Sequence, residues 1–84
     1  MKISDTGIEI TKRYFEALEH LKATKRIKSI SSFTDEYNIN RWNMMTVKNN
    51  PSTSVLKPEW LAYIIKYGVS PTWLLTGKGN IFLN

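Results

Sequence analysis

The sequence predicts an all-α protein, a compact bundle of about five short helices. Along most of the chain, apolar residues recur at the three- and four-residue spacing of a helix, and capping and turn residues divide the chain into short segments. Eighty-four residues are enough for one hydrophobic core and too few for two. We therefore treat residues 1–84 as a single domain and expect residues 1–8 to be a flexible N-terminus.

The first helix is predicted from about Ile10 to Ala23. Its apolar residues form one stripe along the segment, while charged residues occupy the opposite face. The stripe consists of Ile10, Tyr14, Ala17, Leu18 and Leu21.

A short second helix is predicted from about Ile30 to Tyr37. Ser29 is its expected N-cap, and Ser31 and Ser32 are alternative caps because Ser32 and Asp35 have the spacing of a capping box.

A tight corner should follow this second helix. Asn38 can adopt the left-handed conformation that ends a helix, and Asn40 can cap the next one. The third helix is expected from Arg41 to about Lys48, with Met44 and Val47 facing inward.

Two more helices are expected in the C-terminal half. The fourth begins near Lys57, and we expect Gly68 to close it. Its predicted core residues are Trp60, Leu61, Ile64 and Ile65. The fifth begins at Ser70-Pro71, an N-cap followed by a proline, and continues through Thr76. Ile81 and Phe82 should then fold back onto the core.

The residue inventory argues against an enzyme. The chain has no cysteine and a single histidine, His20, so it cannot assemble a conventional zinc site or a cysteine nucleophile. The adjacent Asp35 and Glu36 diverge on one helix and are poorly placed to share a proton. The Gly77-Lys78-Gly79 segment lacks the spacing of a phosphate-binding loop. We expect no catalytic residue, metal or cofactor.

Charge distribution favours a polyanionic partner. The formal net charge is +5, and no acidic residue lies between Glu36 and Glu59. Clustered lysine and arginine suit nucleic acid, because each cation placed on a phosphate releases a bound counterion. The alternative is a solvated surface that keeps a small protein soluble. With no signal peptide and no apolar run of roughly 20 residues, the sequence predicts a cytoplasmic protein that does not enter a membrane.

Residues 30–49 resemble the helix-turn-helix of the phage-repressor-like family, the lambda and 434 type often called the Xre family. The resemblance rests on the apolar pair of the first helix, the small residue between the helices, Asn in place of the turn glycine, the apolar residue after it and the inward pair of the second helix. These residues are Phe33 and Tyr37, Thr34, Asn38, Ile39, and Met44 and Val47.

The run from Tyr67 to Gly79 is also similar to the closing helix of phage-type repressors from Bacteroidetes-like bacteria. The resemblance covers roughly residues 11–82. It implies a lambda-repressor-like fold whose third helix enters the major groove of DNA, and a transcriptional regulator, most often a repressor, that binds as a homodimer. The two half-sites of such a dimer lie about 34 Å apart.

A major groove admits one helix, whose exposed side chains read the base edges. Docking by the N-terminal half of the third helix brings five residues nearest the bases: Arg41, Trp42, Asn43, Met45 and Thr46. The expected phosphate contacts are Lys25, Arg26, Lys28, Lys48 and Asn49. Trp42, Met44 and Met45 also leave open a protein-interaction module of the antitoxin or anti-regulator type, since methionine suits adaptable interfaces and a fold does not fix a function.

Overall fold

Five α-helices and the turns between them make up the fold. A computed structural model describes residues 3–83. In chain order the helices are α1 (Asp5–Ala23), α2 (Ile30–Glu36), α3 (Arg41–Asn49), α4 (Pro58–Ile65) and α5 (Pro71–Thr76). The predicted all-helical class is confirmed; within the described residues, strand-like pairing is limited to one antiparallel bridge between Val69 and Phe82.

The first helix begins earlier than the sequence predicted. The Ser4 side chain accepts a hydrogen bond from the Gly7 backbone N–H at 3.1 Å and so caps α1, which starts at Asp5. The Ile3 N–H donates to the Ser52 carbonyl at 3.0 Å, which ties this end to the loop before α4. Residues 5–8, part of the expected flexible N-terminus, form the first turn of α1, and residues 1 and 2 lie outside the described part of the chain.

Helix α1 lies at the centre of the bundle and packs against α3, α4 and α5. Its predicted stripe is buried except for Ile10, which is half-buried. Leu61 and Ile65, predicted as core, are also half-buried and pack around the core's margin. The buried apolar core consists of Tyr14, Ala17, Leu18, Leu21, Ile27, Phe33, Met44, Val47, Trp60, Ile64, Val69, Trp73 and Leu74.

The corner between α2 and α3 forms as its turn residues predicted. Ser29 caps α2 in a reciprocal capping box with Ser32. Asn38 has a φ of 54°, in the left-handed region that asparagine tolerates. The Asn40 side chain accepts from the Asn43 N–H at 3.2 Å and starts α3. Four residues, 37–40, thus separate the two helices.

Aromatic contacts hold α2 against α4. The rings of Tyr37 and Tyr63 stack with their centroids 4.2 Å apart. The Tyr67 hydroxyl, just beyond α4, donates to the Glu36 carboxylate at the end of α2, and this hydrogen bond raises the pKa of Tyr67. Since Phe33 packs beneath Tyr37 and Tyr67, the position of α2 depends on a cluster of rings.

The C-terminal segment folds back as expected, although α4 ends before Gly68. Its C-cap is Lys66, and Gly68 lies in the following turn with a φ of 95°. Ser70 caps α5 as predicted. The Ser70 N–H donates to the Ile81 carbonyl at 2.8 Å, so residues 81 and 82 lie beside the turn that precedes α5.

Candidate nucleic-acid interface

Helix α3 has an inner face, an outward face and two flanks. At about 100° per residue, buried Met44 and Val47 define its inner face. The face opposite them carries Trp42, Met45, Thr46 and Asn49. Arg41 and Lys48 share one flank, and Asn43 lies on the other.

The outward face is dominated by apolar groups. Trp42 is 84% exposed and Met45 is 40% exposed, whereas Met44 between them is 1% exposed. Arg41, Trp42 and Met45 line an open groove of about 490 Å³. A tryptophan this exposed covers little of its own protein, so its apolar surface remains available to a partner.

The Thr46 hydroxyl is used within the helix. It donates to the Trp42 carbonyl at 2.8 Å, one turn earlier in α3. Because this hydrogen bond uses the hydroxyl proton, Thr46 offers a partner its methyl group and the acceptor lone pairs of its oxygen.

Arg41 faces the start of α2. Its Nη1 donates to the Ser31 Oγ at 2.7 Å, and both side chains lie at the protein surface. The guanidinium therefore lies at the edge of the outward face, where the DNA backbone would run if α3 entered a groove. A guanidinium at this edge has the donors for the predicted base contact and for a phosphate contact.

Asn43 lies on the opposite flank. It lines a small polar cleft of about 180 Å³ with residues of the α2–α3 corner and the start of α4, among them Asn38, Asn40, Lys57 and Glu59. Asn43 is therefore separated from the Trp42 and Met45 groove, although the sequence placed all three among the base contacts.

The predicted phosphate contacts divide into two groups. Lys25, Lys28 and Lys48 are exposed, and Lys25 has a left-handed φ of 61° in the link between α1 and α2. Arg26 is engaged within the fold: its Nη1 donates to the Tyr67 carbonyl at 3.0 Å, and its guanidinium carbon lies 4.2 Å from the centroid of the Phe82 ring. Arg26 thus braces the C-terminal segment, a role that its place in a basic cluster did not reveal.

Asn49, a predicted phosphate contact, lies at the end of α3. As the last residue of α3 it shares the outward face with Trp42 and Thr46. It is exposed, and its amide is the polar group farthest along that face from the start of the helix.

A second, largely apolar cleft was not predicted from the sequence. It measures about 420 Å³ and lies between the start of α1, the loop before α4, and α4 itself. Its apolar walls come from Ile3, Ile10, Val55, Leu56 and Leu61. None of the described residues that line the cleft has an ionisable side chain.

Within residues 3–83, no cluster of three or more His, Cys, Asp or Glu side chains could hold a metal ion. The same residues include no helix that is both long and apolar enough to cross a bilayer. Burial raises the pKa of Tyr14 far above its usual value, with a further contribution from Tyr63, so this phenol stays protonated.

Comparison with protein-family models, with curated proteins and with solved structures finds no match to this chain. We therefore infer the candidate interface from the geometry and chemistry of its own residues.

Proposed function

We propose that this chain is a sequence-specific double-stranded-DNA-binding regulator of the phage-repressor-like helix-turn-helix type, acting in the cytoplasm as a repressor. The observation that carries the proposal is the exposed outward face of α3. This helix follows a four-residue turn after α2, and its buried inner face anchors it to the core. This is the element order of a helix-turn-helix, in which the second helix reads the major groove.

Charge supports the same orientation. Helix α3 contains Arg41 and Lys48 and no acidic residue. Exposed Lys25 and Lys28 lie in the link that leads into α2. If these four cations contact phosphates, the slope of log affinity against log salt is about −4 for each protomer.

Phosphate contacts position the protein, and base contacts specify the sequence. Trp42, Met45 and Thr46 are the proposed base-contacting residues, because they share the outward face. Arg41, Lys48, Lys25 and Lys28 are the proposed phosphate contacts.

One observation favours a second candidate, a protein-interaction module of the antitoxin or anti-regulator type. Trp42 and Met45 are large apolar side chains that α3 leaves exposed, at 84% and 40%. Aromatic residues and methionine are enriched at protein interfaces. Salt separates the two candidates, since phosphate binding weakens steeply with salt and an apolar interface does not.

The experiment is selection from a random-sequence duplex library at two salt concentrations. We expect wild type to enrich one motif and to bind more weakly at the higher salt. Lys48→Ala should weaken binding to all duplexes alike and reduce the salt slope by about 1. Lys12→Ala, which removes the same charge from the exposed side of α1, is the matched control and should change neither quantity.

Enrichment without salt dependence would contradict phosphate contacts by these lysines. Absence of any duplex binding at low salt would refute the regulator and leave the protein-interaction candidate.

We also propose that the regulator binds as a homodimer across two half-sites about 34 Å apart. Binding two half-sites on one face of the duplex gains affinity through a high effective concentration. Titration of an operator with two half-sites should show cooperative binding of two protomers. One protomer per half-site without cooperativity would refute the dimer.

A further inference from the structure

The centre of the outward face of α3 is apolar, and a partner that docks on this face would contact the centre first. Trp42, Met45 and Thr46 stand at positions i, i+3 and i+4, so their side chains are neighbours on one side of the helix. Trp42 and Met45 expose an indole ring and a thioether, and Thr46 adds a methyl group because its hydroxyl is bonded to the Trp42 carbonyl.

The side chains that could read bases through hydrogen bonds lie around this centre, and Arg41 borders the groove that Trp42 and Met45 line. The Arg41 guanidinium donates a hydrogen bond to Ser31 on one flank, and Asn43 lines the small polar cleft on the other. Asn49 is at the far end of the helix. A helix that docks by its N-terminal half brings Trp42 and Met45 to the base edges first.

The major groove offers one apolar group to such a surface. Adenine, guanine and cytosine present hydrogen-bond donors and acceptors there, whereas thymine also presents its C5-methyl group. The Cβ atoms of residues one turn apart are about 5–6 Å from each other, and successive base pairs rise about 3.4 Å. The apolar pair on α3 therefore spans one to two base steps.

We propose that the outward face of α3 reads pyrimidine C5-methyl groups at two neighbouring positions of the operator, through Trp42 and Met45, with the Thr46 methyl beside them. The methyl group of 5-methylcytosine occupies the same place in the groove, so this face accepts that base as it does thymine. The inference rests on the proposed DNA-binding function and names the chemical group that function recognises.

The test uses chemically altered duplexes, so it does not depend on whether a protein variant folds. In the motif that the full chain selects, each thymine is replaced in turn by deoxyuridine, which removes the methyl group and leaves the base pairing unchanged. At two neighbouring positions we expect binding to weaken about fourfold, the loss associated with one buried methyl-sized group. At those positions 5-methylcytosine should bind about fourfold more tightly than cytosine.

Protein variants assign the effect to residues. In a Trp42→Ala, Met45→Ala double variant the difference between thymine and deoxyuridine should disappear. In Lys48→Ala, which alters a flank of the same helix, the difference should persist while overall affinity falls. Trp42 and Met45 are exposed, so the double variant should keep its helical circular dichroism and its unfolding midpoint.

Two results overturn the inference while leaving the DNA-binding function intact. In the first, deoxyuridine at every thymine of the selected motif changes affinity less than twofold. In the second, the preference for the methyl group survives in the folded double variant. Absence of any selected motif overturns the sequence-specific regulator, and with it the inference.

Discussion

Replacement of Arg13 by alanine should destabilise the protein without touching the candidate interface. The Arg13 Nε donates to the Leu74 carbonyl at 2.8 Å, and its Nη2 donates to the Leu75 carbonyl at 3.0 Å. These are carbonyls of the last turn of α5, where the positive charge of Arg13 also interacts favourably with the negative end of the helix dipole. One side chain thus joins the first helix to the last.

The magnitude follows from the surroundings of the two carbonyls. In a longer helix the Leu74 carbonyl would accept from the Lys78 N–H, but that N–H donates to the Thr76 hydroxyl instead. Leu74 is completely buried, so loss of Arg13 leaves its carbonyl without a ready replacement, at a cost of about 1–3 kcal/mol. Leu75 is 47% exposed, so water can replace Arg13 there at little cost. We expect Arg13→Ala to lower the free energy of unfolding by about 2 kcal/mol.

Urea denaturation followed by circular dichroism measures this loss. For a chain of this size the slope is about 1 kcal/mol per M urea, so the midpoint should fall by about 2 M. Lys12→Ala removes the same charge from the neighbouring exposed position and should lower the free energy of unfolding by less than about 0.5 kcal/mol. Equal midpoints for the two variants would refute the clamp between α1 and α5.

Three further sets of variants test the core and the corner between α2 and α3. Tyr14→Phe removes a buried hydroxyl that has no hydrogen-bond partner among residues 3–83, so it should raise the free energy of unfolding by about 1 kcal/mol. A lower melting temperature for this variant than for wild type would contradict this. Since burial raises the pKa of Tyr14, wild type should keep its full stability below pH of about 10 and lose it above, and Tyr14→Phe should lessen that loss. Met44→Ala should cost about 2–5 kcal/mol, whereas Met45→Ala, on the exposed side of α3, should cost less than about 0.5 kcal/mol; similar urea midpoints for the pair would show that the inner face is misassigned. Asn38→Gly should stabilise the left-handed turn by about 0.5 kcal/mol, and Asn38→Ala should destabilise it. The urea midpoint should therefore be highest for the glycine variant and lowest for the alanine variant, and the reverse order would show that the turn has another conformation.

Local signals predicted much of the fold. Ser29, Asn40 and Ser70 cap their helices through hydrogen bonds to residues three positions away, so the information lies within a few residues of sequence. Asn38 marks a turn because its own backbone preference permits a positive φ. The inward positions of α3 follow from its period alone.

Contacts between distant residues could not be predicted in the same way. In the sequence Arg13 looks like a solvated cation and Arg26 like a phosphate contact, because their carbonyl partners are more than 40 positions away. The start of α1 was also missed, since an apolar stripe indicates where a helix is buried and not where it is capped. At the candidate site, the helical period predicted which residues of α3 face outward, but it could not predict the contacts of the flanks: Arg41 with Ser31, and Asn43 with the small polar cleft.

The central position of α1 has a consequence for synthesis of the protein. In synthesis α1 precedes α5, and the Tyr14–Leu21 side of α1, which packs against α3, α4 and α5, is fully covered only after Trp73 and Leu74 have been made. At about 5–20 residues per second, the roughly 50 intervening residues take about 3–10 s. During that interval α3 and α4 can cover only part of the apolar stripe of α1. Helix α5 then adds the remaining buried side chains, Trp73 and Leu74, together with the carbonyls of the Arg13 clamp.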